Sequence, residues 1–284
     1  MRMRSDQEYG VHPLSIRKVS LAIAITTAAA SSGCSGNRDQ PEEVACKRQD
    51  VVEAITQEVQ QKAINFIYDD YIWPPSGLDI KPFSDYSTQL KSVPISLRDI
   101  ETTSLQRPRW TFNGRWVLNC RATLRIGIPK QAEEVLKKVQ QQRQRALDAD
   151  GKFGNESVEL EDFTFRATEI DGNLIKAAFR KSYSAPFSLR AIAIAAANSE
   201  ELLLENALNE YKSADIELNE FWSGMPKSIQ DGALPSQRKW IAMKASKCGN
   251  GDYLSDNSQR ASDRIRSIEC HTRMTRDRIH ELDM

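Results

Sequence analysis

Hydrophobic and polar positions follow two different periods, helical and strand-like, in successive segments of this chain of 284 residues. From Cys46 onward, apolar residues recur every three or four positions with Glu, Gln and Lys between them: Val51, Ile55, Val59, Ala63 and Phe66. This spacing predicts an amphipathic helix that ends near Asp70, because two prolines and a glycine follow within residues 74–77. Residues 76–92 carry no clear period and predict a loop.

The next segment alternates between apolar and polar residues. Its apolar positions are Trp110, Phe112, Trp116, Leu118, Cys120, Ala122, Leu124, Ile126 and Ile128. A period of two over this length predicts one long antiparallel strand, or two strands joined at Asn113-Gly114, with one face buried and the other wet. Residues 92–103 are the expected neighbour of this strand in a sheet.

A charged helix and a hairpin complete the first half of the chain. A thin apolar stripe predicts the helix over residues 130–150, with Gly151 at its C-terminal end. The Asp171-Gly172 dipeptide predicts a tight turn between strands at 163–170 and 174–183. Residues 46–184 are therefore predicted to pack one helix on an antiparallel sheet of about four strands, with an extra helix inserted. This order resembles the cystatin-type architecture, which hosts inhibitors, sensors and enzymes alike and so selects no function.

Helical periodicity dominates residues 185–284. Apolar residues follow a 3.6-residue period from Leu189 to Phe221, with a break predicted near Asn198, where Asn198 and Glu201 resemble a capping box. A second helix is predicted to follow Pro235 and to close at the glycines of residues 249–251, and a third spans residues 258–282. On that last helix Cys270 lies opposite the apolar stripe, so either the helix packs on two sides or Cys270 lies in a distorted turn. The predicted fold class is α+β, with a helix-on-sheet domain at 46–184 and an all-α, disulfide-stapled domain at 185–284.

The N-terminus predicts export. Four basic residues precede a short apolar run, Val19–Ala30, which is too short to span a membrane. Ser-Ser-Gly-Cys at 31–34 resembles a lipobox, so residues 1–33 are interpreted as a signal peptide, Cys34 as the lipidated residue and 34–45 as a lipid-anchored tether. An ordinary secretory signal cleaved near Ala30 is the alternative. The expected location is the cell envelope, lipid-anchored, at the outer membrane or periplasm of a host with two membranes.

Five cysteines constrain the covalent structure. Assigning Cys34 to lipid leaves an even set with three possible pairings. Their positions along the chain favour Cys46–Cys120 and Cys248–Cys270, one disulfide in each domain. Metal binding is the competing interpretation, but no CxxC or His–Cys spacing supports it. No metal and no cofactor are therefore expected.

Charge and histidine content narrow the function. The chain holds 39 basic and 39 acidic residues, of which four basic and two acidic lie in residues 1–33, so residues 34–284 carry a net charge of −2. This balance disfavours a nucleic-acid partner. His271 and His280 would lie about 180° apart on a helix, and no hydrolase or nucleotide-binding motif occurs. The sequence therefore predicts no enzyme.

Three segments near the C-terminus share a pattern: ADIELNEFW at 214–222, QRKWIAMKASKC at 237–248, and Cys270 followed by MTRDRIHEL at 274–282. The pattern resembles the lysozyme inhibitor LprI family, whose helical domain has similar Asp-Leu-Asn, Gln-Arg-Trp, paired cysteine and Thr-Arg-Leu positions. The matching residues are Asp215, Leu218, Asn219, Gln237, Arg238, Trp240, Cys248, Cys270, Thr275, Arg278 and Leu282. In a helix Gln237, Trp240, Ile241, Lys244 and Cys248 would share one face.

The resemblance implies an envelope lipoprotein that binds and inhibits a lysozyme-type muramidase by occluding its cleft. Because such a cleft holds two acidic groups, Arg238, Lys244 or the loop at 247–252 are the expected contacts. Every matched residue also has a purely internal interpretation, as core or as a hydrogen-bonding group between helices. Residues 243–245 read Met-Lys-Ala where the family tends to have Tyr-Arg-Asp, which favours the alternative of a non-catalytic binding or structural module without inhibitory activity. A small enzyme with a pocket in the helix-on-sheet domain is disfavoured by the shortage of histidine.

Overall fold

An antiparallel sheet packed against helices forms the first part of the fold, and three long helices form the second. The computed structural model describes residues 45–72, 82–106, 116–147, 151–169, 175–179, 183–249 and 259–283. These residues contain eight helices and five strands, which confirms the α+β class. In chain order they are α1 (Gln49–Ile72), α2 (Phe83–Ser92), β1 (Ile95–Gln106), β2 (Val117–Gly127), α3 (Lys130–Lys138), α4 (Gln140–Leu147), β3 (Gly151–Gly154), β4 (Ser157–Glu169), β5 (Ile175–Phe179), α5 (Ser184–Ala197), α6 (Ser199–Gly224), α7 (Lys227–Cys248) and α8 (Ala261–Asp283).

The sheet has the order β1-β2-β4-β3, with every pairing antiparallel. β5 also pairs with β4, along residues 165–169, whereas β3 pairs with residues 157–160. β3 and β5 therefore share the edge of β4 that faces away from β2. The alternation predicted for β2 is confirmed: Leu118, Cys120 and Ala122 are buried on one face, while polar residues occupy the other.

Bulges interrupt the ladder on both sides of β2. β1 has an irregularity between Arg98 and Glu101, and β4 has one opposite Ala122 and Leu124. Asp99 and Asp162 lie in these bulges with φ values of 49° and 54°, a left-handed conformation that aspartate tolerates better than most residues. Because a bulge bends its strand and increases the local twist, the pair curves the sheet about β2.

The core lies between the sheet and two helices. Val51, Ile55 and Val59 of α1 are fully buried, as the periodicity predicts, and Leu189 and Ile192 of α5 are buried beside them. The α5 helix, which the sequence places in the C-terminal domain, thus contributes to the core of the sheet. Residues 43–284 form one compact unit. The domain boundary between residues 184 and 185 stays a prediction.

Two predictions in the first half are wrong. Residues 83–92 form α2 instead of a loop, because Tyr86 and Leu90, one turn apart, both pack into the core. The helix predicted over 130–150 breaks at Val139, whose backbone is extended (φ −97°, ψ 92°), and Gly151 begins strand β3 rather than ending a helix. Residues 76–81, 107–115, 148–150 and 170–174, which include the predicted Asn113-Gly114 and Asp171-Gly172 turns, lie outside the described residues.

The helical half follows its predicted breaks with two differences. The break at Asn198 is confirmed, but its side chain makes no capping hydrogen bond; instead its Nδ2 donates to the Ile194 carbonyl at 3.1 Å and to the Tyr86 hydroxyl at 3.2 Å. The α7 helix begins at Lys227 and continues through Pro235. A proline removes the hydrogen bond to the carbonyl four residues earlier, and Asp231 at that position is exposed, so water can take its place. No helix in the described parts of the chain combines the length and apolar character needed to cross a bilayer.

Candidate functional site

The residues of the shared C-terminal pattern come together where α6, α7 and α8 meet. The α8 helix packs along α6 on one side and against α7 on another, which explains how Cys270 and the apolar stripe of α8 both find partners. The Cys248–Cys270 disulfide joins the end of α7 to α8, and Cys46–Cys120 joins the chain just before α1 to β2. Both predicted disulfide pairings are confirmed.

An apolar contact holds α6, α7 and α8 together. Leu218 of α6, Trp240 of α7 and Ile279 of α8 are buried against one another, with Leu282 beside them. Burying side chains of this size stabilises the folded state by about 1.5–3 kcal/mol each. Leu218 and Trp240 are therefore part of the helix interface, and neither is available at the surface.

Lys244 lies at the centre of the site and is 9% exposed. Its Nζ donates a hydrogen bond to Thr275 Oγ1 at 2.9 Å and lies over the rings of Trp240 and Tyr211, 5.0 and 5.1 Å from their centroids. The Thr275 hydroxyl can accept this bond because its own proton is donated to the His271 carbonyl at 2.8 Å. Burial lowers the pKa of Lys244 below its usual range, and the charge of Asp215 opposes the shift.

Asp215 and Asn219 line the α6 side of the site. Asn219 Nδ2 donates to Asp215 Oδ2 at 3.3 Å, one helical turn away. Burial of Tyr211, together with the negative charge of Asp215, raises the pKa of its phenol. The same charge favours the protonated form of Lys244. Of the Asp-Leu-Asn positions of the pattern, Leu218 thus serves the interior of the bundle by packing and Asp215 by electrostatics, whereas Asn219 is exposed.

A second buried cation, Arg278, ties α8 to the middle of α7. Its Nε donates to Gln237 Oε1, its Nη2 to Ser236 Oγ and its Nη1 to Glu281 Oε2, each at 2.9 Å. Three nitrogens of the guanidinium are therefore used in fixed directions, which sets the angle at which α8 crosses α7. Arg278 and Gln237 are internal hydrogen-bonding partners.

His271 closes the other end of the site, near the disulfide. Its Nε2 donates to the Gly249 carbonyl at 3.1 Å, and its ring lies edge-on to Tyr211 with centroids 6.0 Å apart. Burial lowers the pKa of His271 below 6.5, while the hydrogen bond to Gly249 opposes this change. Gly249 itself has φ +94°, so it ends α7 in a conformation that glycine adopts readily.

The predicted shared face of α7 is confirmed for four of its five residues. Gln237, Trp240, Lys244 and Cys248 point inward, but Ile241 is 54% exposed. Arg238 is also exposed, so the two inhibitory-contact candidates lie in different environments: Arg238 on the surface and Lys244 in the interior. Of the loop candidates, Lys247 and Gly249 are exposed, whereas residues 250–252 lie outside the described residues.

An outward stripe on α7 combines one residue of the pattern, Arg238, with two residues outside it. Leu234, Arg238 and Ile241 are spaced by four and three residues, so they lie on one side of the helix, and all three are exposed. The sequence would predict that this Leu and Ile are exposed beside a basic residue if the buried face of α7 were known. That face can be identified only from the position of α8 in the structure. Within the described residues no group of His, Cys, Asp and Glu side chains is arranged to hold a metal ion.

Comparison with curated proteins found no match, and comparison with solved structures found none either. Comparison with protein families does find one. It covers α6, α7 and α8 and the last turn of α5, and therefore contains both buried cations, the Cys248–Cys270 disulfide and the outward stripe of α7. Residues 194–282, the C-terminal helical region, match the family described as lysozyme inhibitor LprI.

Proposed function

We propose that this protein is an exported envelope lipoprotein, anchored through Cys34, whose α6–α8 region binds a lysozyme-type muramidase and occludes its cleft. The observation that carries the proposal is the family match over residues 194–282, a family described as inhibitors. The effect is stoichiometric binding without turnover. Two disulfides support export, because such bonds persist in oxidising compartments outside the cytosol.

The outward stripe of α7 is the surface best suited to the contact. A lysozyme-type cleft contains a pair of acidic side chains, and a basic side chain flanked by apolar ones complements such a cleft in charge and in shape. Arg238 meets this description, since exposed Leu234 and Ile241 lie one turn away on either side. In this proposal Arg238 approaches the acidic pair while the two apolar residues pack against the cleft walls.

Lys244 takes a different part. Its ammonium group is enclosed by Trp240, Tyr211 and Thr275, so reaching a target would require breaking the helix interface. We therefore assign Lys244 to the scaffold that holds α7 in place. Its burial makes it the weaker of the two predicted contacts.

A turbidity assay tests the proposal. Cell walls are digested by lysozymes of several types while the oxidised protein is added in increasing amounts. Inhibition that saturates near one-to-one stoichiometry is expected, and Arg238→Gln should weaken it by about tenfold or more, the scale of a lost charge pair at an interface. Lys239→Gln is the matched control: Lys239 is an exposed basic residue on the neighbouring side of α7, and its loss should change inhibition little.

The non-inhibitory envelope module remains the second candidate, and one observation favours it. The family's Tyr-Arg-Asp triplet is replaced by Met243, Lys244 and Ala245, and the Lys244 side chain in that triplet is buried. Absence of inhibition at high micromolar concentration, for a protein with intact disulfides and normal circular dichroism, would support this candidate and exclude the first.

A further inference from the structure

The solvent-facing side of the sheet carries a polar cavity that the proposed function does not use. Its volume is about 410 Å³, within the range of small-molecule sites. The side chains that give it its character come from three adjacent strands: Thr103 and Ser104 of β1, Asn119 and Arg121 of β2, and Thr164 and Arg166 of β4. Among its described lining residues there are two arginines and no Asp or Glu.

Asn119 organises this cavity. Its Nδ2 donates to Ser104 Oγ at 2.7 Å, its Oδ1 lies 3.5 Å from Arg166 Nε, and its carbonyl accepts from Thr103 Oγ1 at 2.9 Å. Two consecutive β1 hydroxyls reach the same β2 residue because β1 has a register shift between Thr102 and Ser104. Bulges commonly re-aim side chains in this way beside binding sites.

Arg166 is the key cation. It is half-buried, and its one hydrogen bond among the described residues is from Nε to the Asn119 amide oxygen, which leaves the two Nη groups available. Arg121 makes one long ion pair, 3.8 Å from Asp162, and both side chains are largely exposed, so this pair contributes little. Among the described residues, the cavity thus concentrates positive charge that no buried carboxylate neutralises.

Arg125 lies on β2, on the same face of the sheet as Arg121, and its contacts differ from those of Arg166. Its Nε donates to Ser157 Oγ at 2.9 Å, its Nη2 donates to the Asn155 carbonyl at 3.0 Å, and Glu159 lies 3.7 Å away. Two of its three nitrogens thus donate hydrogen bonds within the protein, and a carboxylate lies nearby. A sheet arginine with a purely structural role looks like Arg125, and Arg166 does not.

We propose that this cavity binds a small ligand bearing an oxyanion, either a carboxylate or a phosphate, through Arg166 and Arg121. The planar guanidinium matches both anions with paired N–H···O bonds, and the hydroxyls of Ser104 and Thr164 suit the polar body of such a ligand. The proposal is independent of muramidase inhibition, because none of its residues belongs to α6–α8.

Calorimetric titration of the full oxidised protein at low salt tests the site with three probes. N-acetylmuramic acid supplies a carboxylate on a sugar, and inorganic phosphate supplies the other oxyanion. N-acetylglucosamine is the same sugar without the lactyl group that carries the carboxylate. We expect saturable binding of at least one anion, none of the neutral sugar, and weakening with salt. The anion that binds more tightly identifies the ligand source.

Variants locate the site. Arg166→Gln is expected to weaken binding by about tenfold or more, since it removes the charge-assisted pair. Arg125→Gln, the matched control, should leave binding unchanged, and thermal unfolding verifies that both variants fold. Equal affinity in Arg166→Gln, equal affinity for the neutral sugar, or no binding of either anion at millimolar concentration would overturn the proposal.

Discussion

The Lys244–Thr275 hydrogen bond offers the sharpest test of how α7 and α8 are held together. The perturbation is a cycle of Lys244→Met, Thr275→Val and the double variant. Methionine keeps much of the length and apolar stem of lysine without its charge. Valine keeps the shape of threonine without its hydroxyl. Backbone bonding in α8 does not depend on that hydroxyl, which donates only to the His271 carbonyl one turn earlier.

The structure sets the expected magnitudes. Thr275→Val leaves a buried ammonium without its oxygen partner, which costs about 1–3 kcal/mol in the free energy of unfolding. Lys244→Met gives up that bond and two ring contacts, together worth about 2–5 kcal/mol. It also removes the desolvation penalty of a buried charge, several kcal/mol in the opposite direction. We therefore expect Lys244→Met to be within about 1 kcal/mol of the wild type, and the double variant to resemble it rather than Thr275→Val.

Urea unfolding followed by circular dichroism, with hydrogen exchange of α7 amides as the local measurement, gives these differences. Thr272→Val is the matched control: Thr272 is buried on the same helix, and its hydroxyl donates to the Ile268 carbonyl at 2.9 Å. If Thr275→Val cost no more than Thr272→Val, or if the two single losses simply added in the double variant, the buried ammonium would not be held by Thr275.

The remaining tests concern a histidine, a disulfide and a glycine. The pKa of His271 is lowered in the folded state, so the unfolded state takes up the proton first as pH falls below 6.5. The free energy of unfolding should therefore fall with pH, by at most about 1.4 kcal/mol per pH unit. His271→Gln should flatten this slope in pH-dependent unfolding, and an unchanged slope would contradict the assignment. Replacing Cys248 and Cys270 by Ser should lower the free energy of unfolding by about 3 kcal/mol relative to the oxidised wild type, for a loop of 22 residues. Reducing the wild type opens Cys46–Cys120 as well and should therefore cost more; an equal or smaller loss on reduction would contradict this expectation. Gly249→Ala should lower the free energy of unfolding by about 1 kcal/mol, because Gly249 has a positive φ. Gly232 lies within α7 with free space around it, so Gly232→Ala should be neutral or stabilising. Equal effects of the two substitutions would rule out the backbone explanation.

The fold was largely predictable where one local signal dominated. The alternation of β2 and the spacing of α1 each state which face is buried, and the disulfide pairing followed from positions along the chain. Local signals failed where tertiary contacts outweighed them. Residues 83–92 become helical because two side chains reach a core that other elements build. The α7 helix continues through Pro235 on an exposed surface, where water can replace the lost bond.

The sequence predicted which residues form the candidate site, but not which of their side chains point inward. Lys244 shares a helix face with Trp240 and Cys248, a spacing that already indicates an inward direction, yet a lysine is rarely buried and so suggests the surface. Only the position of Thr275 and Tyr211 on two other helices makes burial tolerable. The cavity around Arg166 needs three strands in register with a bulge, which no single-segment pattern encodes.

The Cys46–Cys120 disulfide has a mechanical consequence. It joins the chain just before α1 to β2, which is paired with a strand on each of its edges, and the Cys46 amide also donates to Thr102 of β1 at 3.1 Å. Tension applied to the chain ahead of residue 46 therefore passes into the hydrogen-bonded interior of the sheet. The α1 helix lies outside this load path and would not be unwound from its first turn. The sheet, rather than this helix, is therefore the first element to bear a pull on that end of the chain.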